Sequence, residues 1–126
     1  MTITNSGMAE VAALIGSDTS GDATAFDYIA IGTGTTAPTA SDTTLESEQQ
    51  RAAATGTRTN TDVTNDTLQL VKDAFSFSGN HAITEVGVFN NSTGGTMLSR
   101  STFSAVNVTS SDTLKVTVKI QVKQGS

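Results

Sequence analysis

The sequence contains no cysteine and no tryptophan, one proline and one histidine, and only 15% of its residues are charged. Without cysteine, disulfides and thiolate metal sites are excluded, and a single histidine cannot supply an ordinary zinc site. The low charge fraction argues against disorder caused by charge repulsion. The length of 126 residues fits one domain, residues 1–126, with a core that needs no covalent or metal cross-links.

Basic residues are also scarce, with seven Lys and Arg against twelve Asp and Glu and a net charge of −5. An acidic surface cannot neutralise phosphates, so nucleic acid is not expected as a partner. No run of 18 apolar residues is present, and the opening MTITNSGMAE has no basic residue before its apolar part. We therefore expect neither a membrane span nor a signal peptide.

Threonine is abundant, and it favours strands over helices. Strand-type runs separated by turns with Gly, Asn or Asp are typical of antiparallel sheets. The predicted fold class is mainly β, an antiparallel β-sandwich or meander with a short N-terminal helix. Strands are predicted at 25–31, 54–63, 67–78, 82–89, 96–106 and 114–122, with one helical turn at 43–51 anchored by Leu45.

The run LKVTVKIQV near the C-terminus is the clearest strand. Apolar and polar residues alternate along it, which indicates a strand half-buried on a core. We therefore expect residues 113–122 to lie inside the sheet. The predicted core side chains of this strand are Leu114, Val116, Val118, Ile120 and Val122.

The segment NSGMAEVAALIG, residues 5–16, has helical periodicity. Asn5 or Ser6 is predicted to cap its N-terminus, and Gly16 is placed to end it. A loop is predicted over residues 17–22. The predicted apolar stripe of the helix consists of Met8, Val11, Ala12 and Ile15.

One glycine-rich stretch formally matches a nucleotide-binding motif. IAIGTGTTA contains Gly32-x-Gly34-x-x-Ala37 after a predicted strand, as in dinucleotide-binding folds. Pro38 and small polar residues follow instead of the long crossover helix that a βαβ unit requires. We interpret the stretch as a loop that leaves a strand, and predict no cofactor.

The histidine, His81, and Glu85 are the residues that most suggest catalysis. Four positions apart in a strand they share a face but lie roughly 13 Å apart, too far for a hydrogen bond. Neither a nucleophile elbow nor a metal set accompanies them. We expect His81 to be a turn residue and the protein to have no catalytic residue.

The stretch TNTDVTND places four oxygen donors close together. Such donors can hold Ca²⁺, but the spacing matches no calcium-loop motif, and the same residues favour turns. A turn is the preferred interpretation, and ion binding by Asp62 and Asp66 stays open. The four residues are Asn60, Asp62, Asn65 and Asp66.

Four segments together are similar to a known family. They are ITNSGMAEVAALI, then YIAIGTGTTAPTASDTTLESE leading to an Arg, then ITEVGVFN, and the closing alternating strand. In this order they resemble the N-terminal attachment domain of tailed-phage tail-collar fibre proteins. The resemblance covers nearly the whole chain and makes one strand a structural hallmark, Glu85, Val86, Gly87, Val88 and Phe89. Gly87 within it suggests a bulge or a group packed against bare backbone.

The resemblance implies a non-enzymatic virion structural protein, assembled in the host cytoplasm. Tail-collar fibres continue into a shaft and a receptor-binding tip, whereas this sequence ends at Ser126. We therefore expect a capsid decoration (cement) protein, with a small tail, baseplate or tail-fibre-type attachment protein as the alternative. The expected partners are other virion proteins, either the major capsid protein or tail and baseplate proteins. We also expect a symmetric homo-oligomer, with a trimer as the best guess.

Two further classes fit the sequence less well. A carbohydrate-binding adhesion module usually stacks aromatic rings on its sugar, whereas this chain is 5% aromatic. A hydrolase that used His81 and Glu85 would require the two side chains to meet, which the strand spacing prevents.

Overall fold

The computed structural model describes residues 1–16 and 24–125. The loop predicted over residues 17–22 lies outside this part of the chain. The mainly β fold class with one short helix is confirmed. The elements are β1 (Thr2–Ile3), α1 (Asn5–Gly16), β2 (Tyr28–Gly32), β3 (Glu48–Ala53), β4 (Thr55–Thr59), β5 (Thr67–Ser76), β6 (His81–Phe89), β7 (Met97–Val108) and β8 (Thr113–Gln121).

The strands form two antiparallel sheets that pack as a sandwich. The five-stranded sheet has the order β1-β7-β6-β2-β3, and the three-stranded sheet has the order β4-β5-β8. Only Ala54 separates β3 from β4, so the chain crosses there from one sheet to the other. The pairs β2–β6 and β5–β8 join strands that are distant in sequence, and they bind the two halves of the chain into one unit.

The main core lies between the two sheets. Because side chains alternate along a strand, the inward-facing apolar residues of β2, β5, β6, β7 and β8 fill this space. The buried members of the core are Phe26, Ile29, Ile31, Leu70, Phe75, Phe77, Ile83, Val88, Leu98, Val108 and Val118. A smaller cluster consists of Ala30, Leu45, Phe89 and Met97. It brings Leu45 of the loop 33–47 onto β2, β6 and β7.

Helix α1 has the predicted bounds, but the predicted cap is wrong, and its apolar stripe is exposed. Met8 and Ile15 are 53% and 83% exposed, whereas Gly7 is buried. A Cβ on Gly7 would lie 2.7 Å from the Leu98 Cα, so the helix approaches β7 through this bare position and its apolar stripe faces outward. The cap is Thr4, whose hydroxyl accepts a hydrogen bond from the Gly7 N–H at 2.9 Å.

The helical turn predicted at 43–51 is wrong, since residues Glu48–Ala53 form β3. This segment pairs with β2, and hydrogen bonding across the sheet takes the place of local helical bonds. Leu45 is nevertheless the apolar anchor of the stretch, with 5% of its surface exposed.

Strand β8 confirms the predicted alternation only in part. Val118 is buried, and Leu114, Val116 and Ile120 are half-buried. Val122 lies beyond the end of the strand and is 81% exposed, so its assignment to the core is wrong. β8 also pairs with β5 alone, which makes it an edge strand and leaves its inner face less covered than that of a central strand.

Candidate functional site

The candidate site is built around the buried carboxylate of Glu85. This residue lies in β6 and none of its surface is exposed. Its carboxylate accepts hydrogen bonds from three backbone N–H groups of the loop 33–47 and from one side chain. The donors are Gly34 N–H at 2.8 Å, Glu46 N–H at 3.0 Å, Ser47 N–H at 2.8 Å and Arg100 Nε at 2.9 Å.

Arg100, on the neighbouring strand β7, is the second member of this cluster. Its side chain is 3% exposed and forms ion pairs with Glu85 at 2.9 Å and with Asp42 at 3.2 Å. Its Nη2 has no hydrogen-bond partner among the described residues. A buried cation of this kind is retained only when carboxylates surround it. We call Glu85, Arg100 and the loop 33–47, which contains Asp42, the Glu85 cluster.

The electrostatics of the Glu85 cluster keep its charged groups ionised. Burial raises the pKa of Glu85, but the hydrogen bonds from Ser47, Arg100 and two further backbone N–H groups outweigh burial and hold the pKa below its ordinary value. Burial lowers the pKa of Arg100, and its bonds to Glu85 and Asp42 more than compensate. A carboxylate held in this way is a poor proton acceptor, so Glu85 is unsuited to general base catalysis.

The glycines of the loop are explained by this cluster. A Cβ on Gly34 would lie 2.5 Å from the Glu85 Oε2, and a Cβ on Gly32 would lie 2.4 Å from the Ser47 backbone oxygen. The Gly34 N–H can therefore approach the Glu85 carboxylate because neither Gly32 nor Gly34 carries a side chain. The motif Gly32-x-Gly34-x-x-Ala37 holds a carboxylate of its own chain in place of a nucleotide phosphate.

A second carboxylate, Glu46, fixes the far side of the loop. It accepts hydrogen bonds from the Thr35 N–H at 2.8 Å and the Thr36 N–H at 3.1 Å, and from the Thr36 hydroxyl. The bond from the Thr36 hydroxyl is the main reason that the pKa of Glu46 lies below its ordinary value. Backbone groups that a loop would otherwise present to a ligand are thus satisfied internally.

The hallmark strand packs against the same loop. The Leu45 Cδ2 would lie 2.8 Å from a Cβ on Gly87, and the side chains of Phe89 and Met97 close the remaining space. Gly87 pairs in register with Ala30 and Arg100, and the register shifts of β6 fall elsewhere in the strand. Of the two explanations for this glycine, packing against bare backbone is the one observed.

His81 lies at the start of β6 and does not belong to the Glu85 cluster. Its ring packs against Phe77, with the ring centroids 6.0 Å apart. Glu85 directs its carboxylate toward the loop and Arg100, and His81 is not among its hydrogen-bond partners. The structure does not bring together the two residues that most suggested catalysis.

The four oxygen donors of the stretch TNTDVTND form a self-bonded loop. The Asp66 carboxylate accepts the N–H groups of Thr61, Asp62 and Val63 at 2.8 to 3.1 Å. Burial raises the pKa of Asp66, and these three backbone bonds lower it by more. The Asn60 side chain likewise accepts the Asn65 N–H at 2.7 Å. Within residues 1–16 and 24–125, no three His, Asp or Glu side chains are grouped so that they could hold a metal ion.

The N-terminal segment is attached to the same region by Thr4, which is fully buried. Its hydroxyl donates a hydrogen bond to the Met97 carbonyl while it caps α1.

Sequence reasoning missed Thr4, Arg100 and Asp42. An available signal was Arg100 itself, because a lone charge in the buried run MLSRS requires an oppositely charged partner.

A concave surface beside α1 is apolar. It is a groove of about 560 Å³. Such a lining suits contact with another apolar surface better than binding of a polar substrate. Its wall residues include Val11, Leu14, Phe26, Leu68, Leu70, Ile120 and Val122.

No family model, no curated protein and no solved structure matches this chain. No helix in the described part of the chain is long and apolar enough to cross a membrane. The geometry shows that the Glu85 cluster joins β6, the loop 33–47 and β7 through buried charges. The Glu85 carboxylate forms hydrogen bonds to the loop and to Arg100.

Proposed function

We propose that this protein is a non-enzymatic structural protein of a tailed virus particle, acting as a capsid decoration (cement) protein on the particle exterior. A small tail, baseplate or tail-fibre-type attachment protein is the alternative within the same class. The carrying observation is that the segments with family resemblance interlock in one place. Leu45 of the second segment packs over Gly87 of the third, and Glu85 of the third holds Gly34 of the second.

The remaining motif residues of the second segment also have structural partners. Glu48 and Arg51 form an ion pair at 2.8 Å, and the Arg51 guanidinium lies 3.6 Å above the ring of Phe89 in the hallmark strand. The first segment joins the group through Thr4 and Gly7, which contact β7. The residues that carry the resemblance therefore support one another physically, as the residues of a structural module would.

Exposed apolar residues supply the surface that an assembly protein needs. Met8, Val11 and Ile15 project from α1 next to the apolar groove, and Val122 lies at its wall and is 81% exposed. Contiguous exposed apolar surface marks sites of interaction with other proteins. In a particle these residues would contact the major capsid protein, or tail and baseplate proteins in the alternative, and sister copies in a symmetric homo-oligomer.

Mass spectrometry of purified particles, from the virus whose genome encodes this chain, tests the proposal. We expect the chain in intact particles, with hundreds of copies each for a decoration protein. A handful of copies would instead support the tail or baseplate alternative. Its absence from particles, together with presence in infected cells, would contradict the virion role.

Analytical ultracentrifugation tests the proposed oligomer, for which a trimer is the expected state. Ile15→Ser, on the exposed stripe of α1, should shift the equilibrium toward the monomer. Val63→Ser is a matched control, because Val63 is 65% exposed and belongs to the loop between β4 and β5 instead of α1. A wild-type protein that stays monomeric in solution and touches no sister subunit in the particle would contradict the oligomer.

A further inference from the structure

One side of the sandwich is open, and two unpaired strand edges border the opening. β8 pairs with β5 on one side only. β7 continues to Val108, yet β1 covers its outer edge only at Ser99 and Arg100. The chain passes from β7 to β8 through residues 109–112 without pairing the two strands, since they belong to different sheets.

An apolar groove of about 290 Å³ runs between these two strands. Phe103 and Val106 of β7 form one wall and are each 40% exposed. Leu114 and Val116 of β8 form the other wall, and Ile83 contributes to its lining. We call this groove and the free edge of β8 the open seam.

A free strand edge presents unpaired backbone N–H and C=O groups, which are satisfied when another strand is added. In a strand that pairs with β8, alternate side chains would point into the groove toward Phe103 and Val106. The intervening side chains would lie on the outer face, beside Lys115 and Lys119. The inward positions of such a strand therefore favour apolar residues.

The positive charge on the outer face of β8 favours a partner strand that carries acidic residues there. Arg51 and Arg100, the two cations of the five-stranded sheet, are each paired with carboxylates. Lys119 has no ion pair among the described residues, and Lys115 lies 4.0 Å from Asp73 with both side chains more than half exposed. Apart from Arg51 and Arg100, the five cations of the chain lie in the three-stranded sheet or directly after it: Arg58, Lys72, Lys115, Lys119 and Lys123.

The same lysines disfavour a second copy of this chain as the occupant. If the β8 edges of two copies paired antiparallel in the register centred on Thr117, Lys115 of each copy would face Lys119 of the other, and like charges at such positions are repulsive. The remaining edge of the three-stranded sheet, β4, is exposed along most of its length and offers no apolar side chain. Of the two edges of this sheet, β8 is thus the one that borders an apolar groove and carries positive charge, from Lys115 and Lys119.

We propose that the open seam binds an extended segment of another protein, in which acidic residues alternate with apolar ones, as an added strand along β8. This deepens the proposed attachment function by naming the docking surface and the chemistry of its partner. It concerns the isolated protein, so it can be tested without a virus particle. A negative peptide result would leave the virion role intact, and absence from particles would leave the open seam intact.

The test uses a fluorescently labelled synthetic peptide of alternating valine and glutamate, with the nine-residue length of β8. Two peptides serve for comparison. One has the same composition with its glutamates clustered, and the other alternates valine and lysine. We expect anisotropy to show at least tenfold tighter binding of the alternating acidic peptide than of either counterpart. Hydrogen exchange should slow in residues 113–121 and remain unchanged in β4.

The double variant Lys115→Glu with Lys119→Glu should bind the acidic peptide at least tenfold more weakly and should now prefer the lysine peptide. If this variant does not fold, Lys115→Gln with Lys119→Gln decides, with an expected loss of several-fold. Equal binding of acidic and lysine peptides by the wild-type protein, protection at β4 instead of β8, or no measurable binding would each overturn the proposal.

Discussion

At the scale of single residues, the buried pair of Glu85 and Arg100 makes the stability of the protein sensitive to single substitutions. Glu85 is fully buried, and four donors, one of them Arg100, surround its carboxylate. Such a pair contributes little compared with an apolar replacement of both residues, but loss of one partner leaves a buried charge without compensation. The contribution of this cluster is therefore visible in single substitutions.

We predict that Glu85→Gln lowers the free energy of unfolding by about 3–5 kcal/mol, because Arg100 loses its main counter-ion in the interior. Urea denaturation measures this change. Glu48→Gln is the matched control, since the side chain of Glu48 is 33% exposed in its ion pair with Arg51; its loss should cost no more than about 1 kcal/mol. Equal effects of the two substitutions would contradict the structural role of Glu85.

A pH dependence follows from the same carboxylate. The folded-state pKa of Glu85 lies below the ordinary value of 4.5. On acidification the unfolded chain therefore takes up the proton first, and the stabilisation from Glu85 is lost as the pH falls below 4.5 through the folded-state pKa. Asp42, Glu46 and Asp66 have lowered pKa values as well, so stability should decline steadily in this range.

Unfolding midpoints measured between neutral pH and the acid range test this prediction. Glu85→Gln should show a shallower decline than the wild-type protein, because one of the four carboxylates no longer contributes. A decline of the same slope in both proteins would show that Glu85 does not have a lowered pKa in the folded state.

Gly7 decides how closely α1 approaches β7. A Cβ there would lie 2.7 Å from the Leu98 Cα and 2.8 Å from its carbonyl oxygen, and backbone cannot move aside as a side chain can. We predict that Gly7→Ala destabilises by roughly 1–3 kcal/mol through overpacking, even though alanine favours helices. Gly16→Ala is the control, since a Cβ on Gly16 would meet no atom of the described residues within 4 Å, so the substitution changes helix propensity. Thermal unfolding measures the Tm of both variants. The Tm should fall for Gly7→Ala, and for Gly16→Ala it should rise or change by a clearly smaller amount.

At the scale of elements, β8 has one face toward the core and one face toward solvent. Val118 points into the core and is 8% exposed, whereas Lys119 is exposed on the outer face. We predict that Val118→Asp abolishes soluble folded protein, because an unpaired carboxylate enters the core. Lys119→Asp should leave the circular dichroism spectrum and the unfolding midpoint nearly unchanged. A folded chain truncated after Asp112 would contradict the assignment of β8 to the core.

The elements also differ in how well the sequence predicted them. Strict alternation predicted β8, and the strand-type runs predicted β5, β6 and β7 with bounds shifted by one or two residues. The segment 43–51 was wrong because TTLESEQQR has helix-compatible residues, and pairing with β2 decides its conformation. Local propensity is a weak influence where an adjacent strand offers a complete set of backbone partners.

At the scale of the whole molecule, the protein combines a rigid interior with exposed surfaces suited to contact. The Glu85 cluster holds β6, the loop 33–47 and β7 together, while the α1 stripe and the open seam remain available. We propose that assembly depends on these surfaces and not on any catalytic group.

His81→Ala tests the non-enzymatic role at this scale. The ring packs against Phe77 at the start of β6 and has no part in the Glu85 cluster. We predict that particle assembly and infectivity stay nearly unchanged. A loss of infectivity beyond about tenfold, with the variant folded and incorporated normally, would contradict this view.

The sequence by itself determined the fold class, the bounds of α1 and the alternation of β8, because period and turn residues act over a few neighbouring positions. It also predicted a glycine-rich loop after β2, whereas for Gly87 it left both a bulge and packing against bare backbone open. Only the tertiary structure decided which face of α1 is buried, since Gly7 allows a closer approach to β7 than the larger apolar residues would. The tertiary structure likewise decided that Glu85 meets Arg100 and the loop N–H groups rather than His81. Those partners are many positions away in the chain, and strand pairing alone brings them within hydrogen-bond distance.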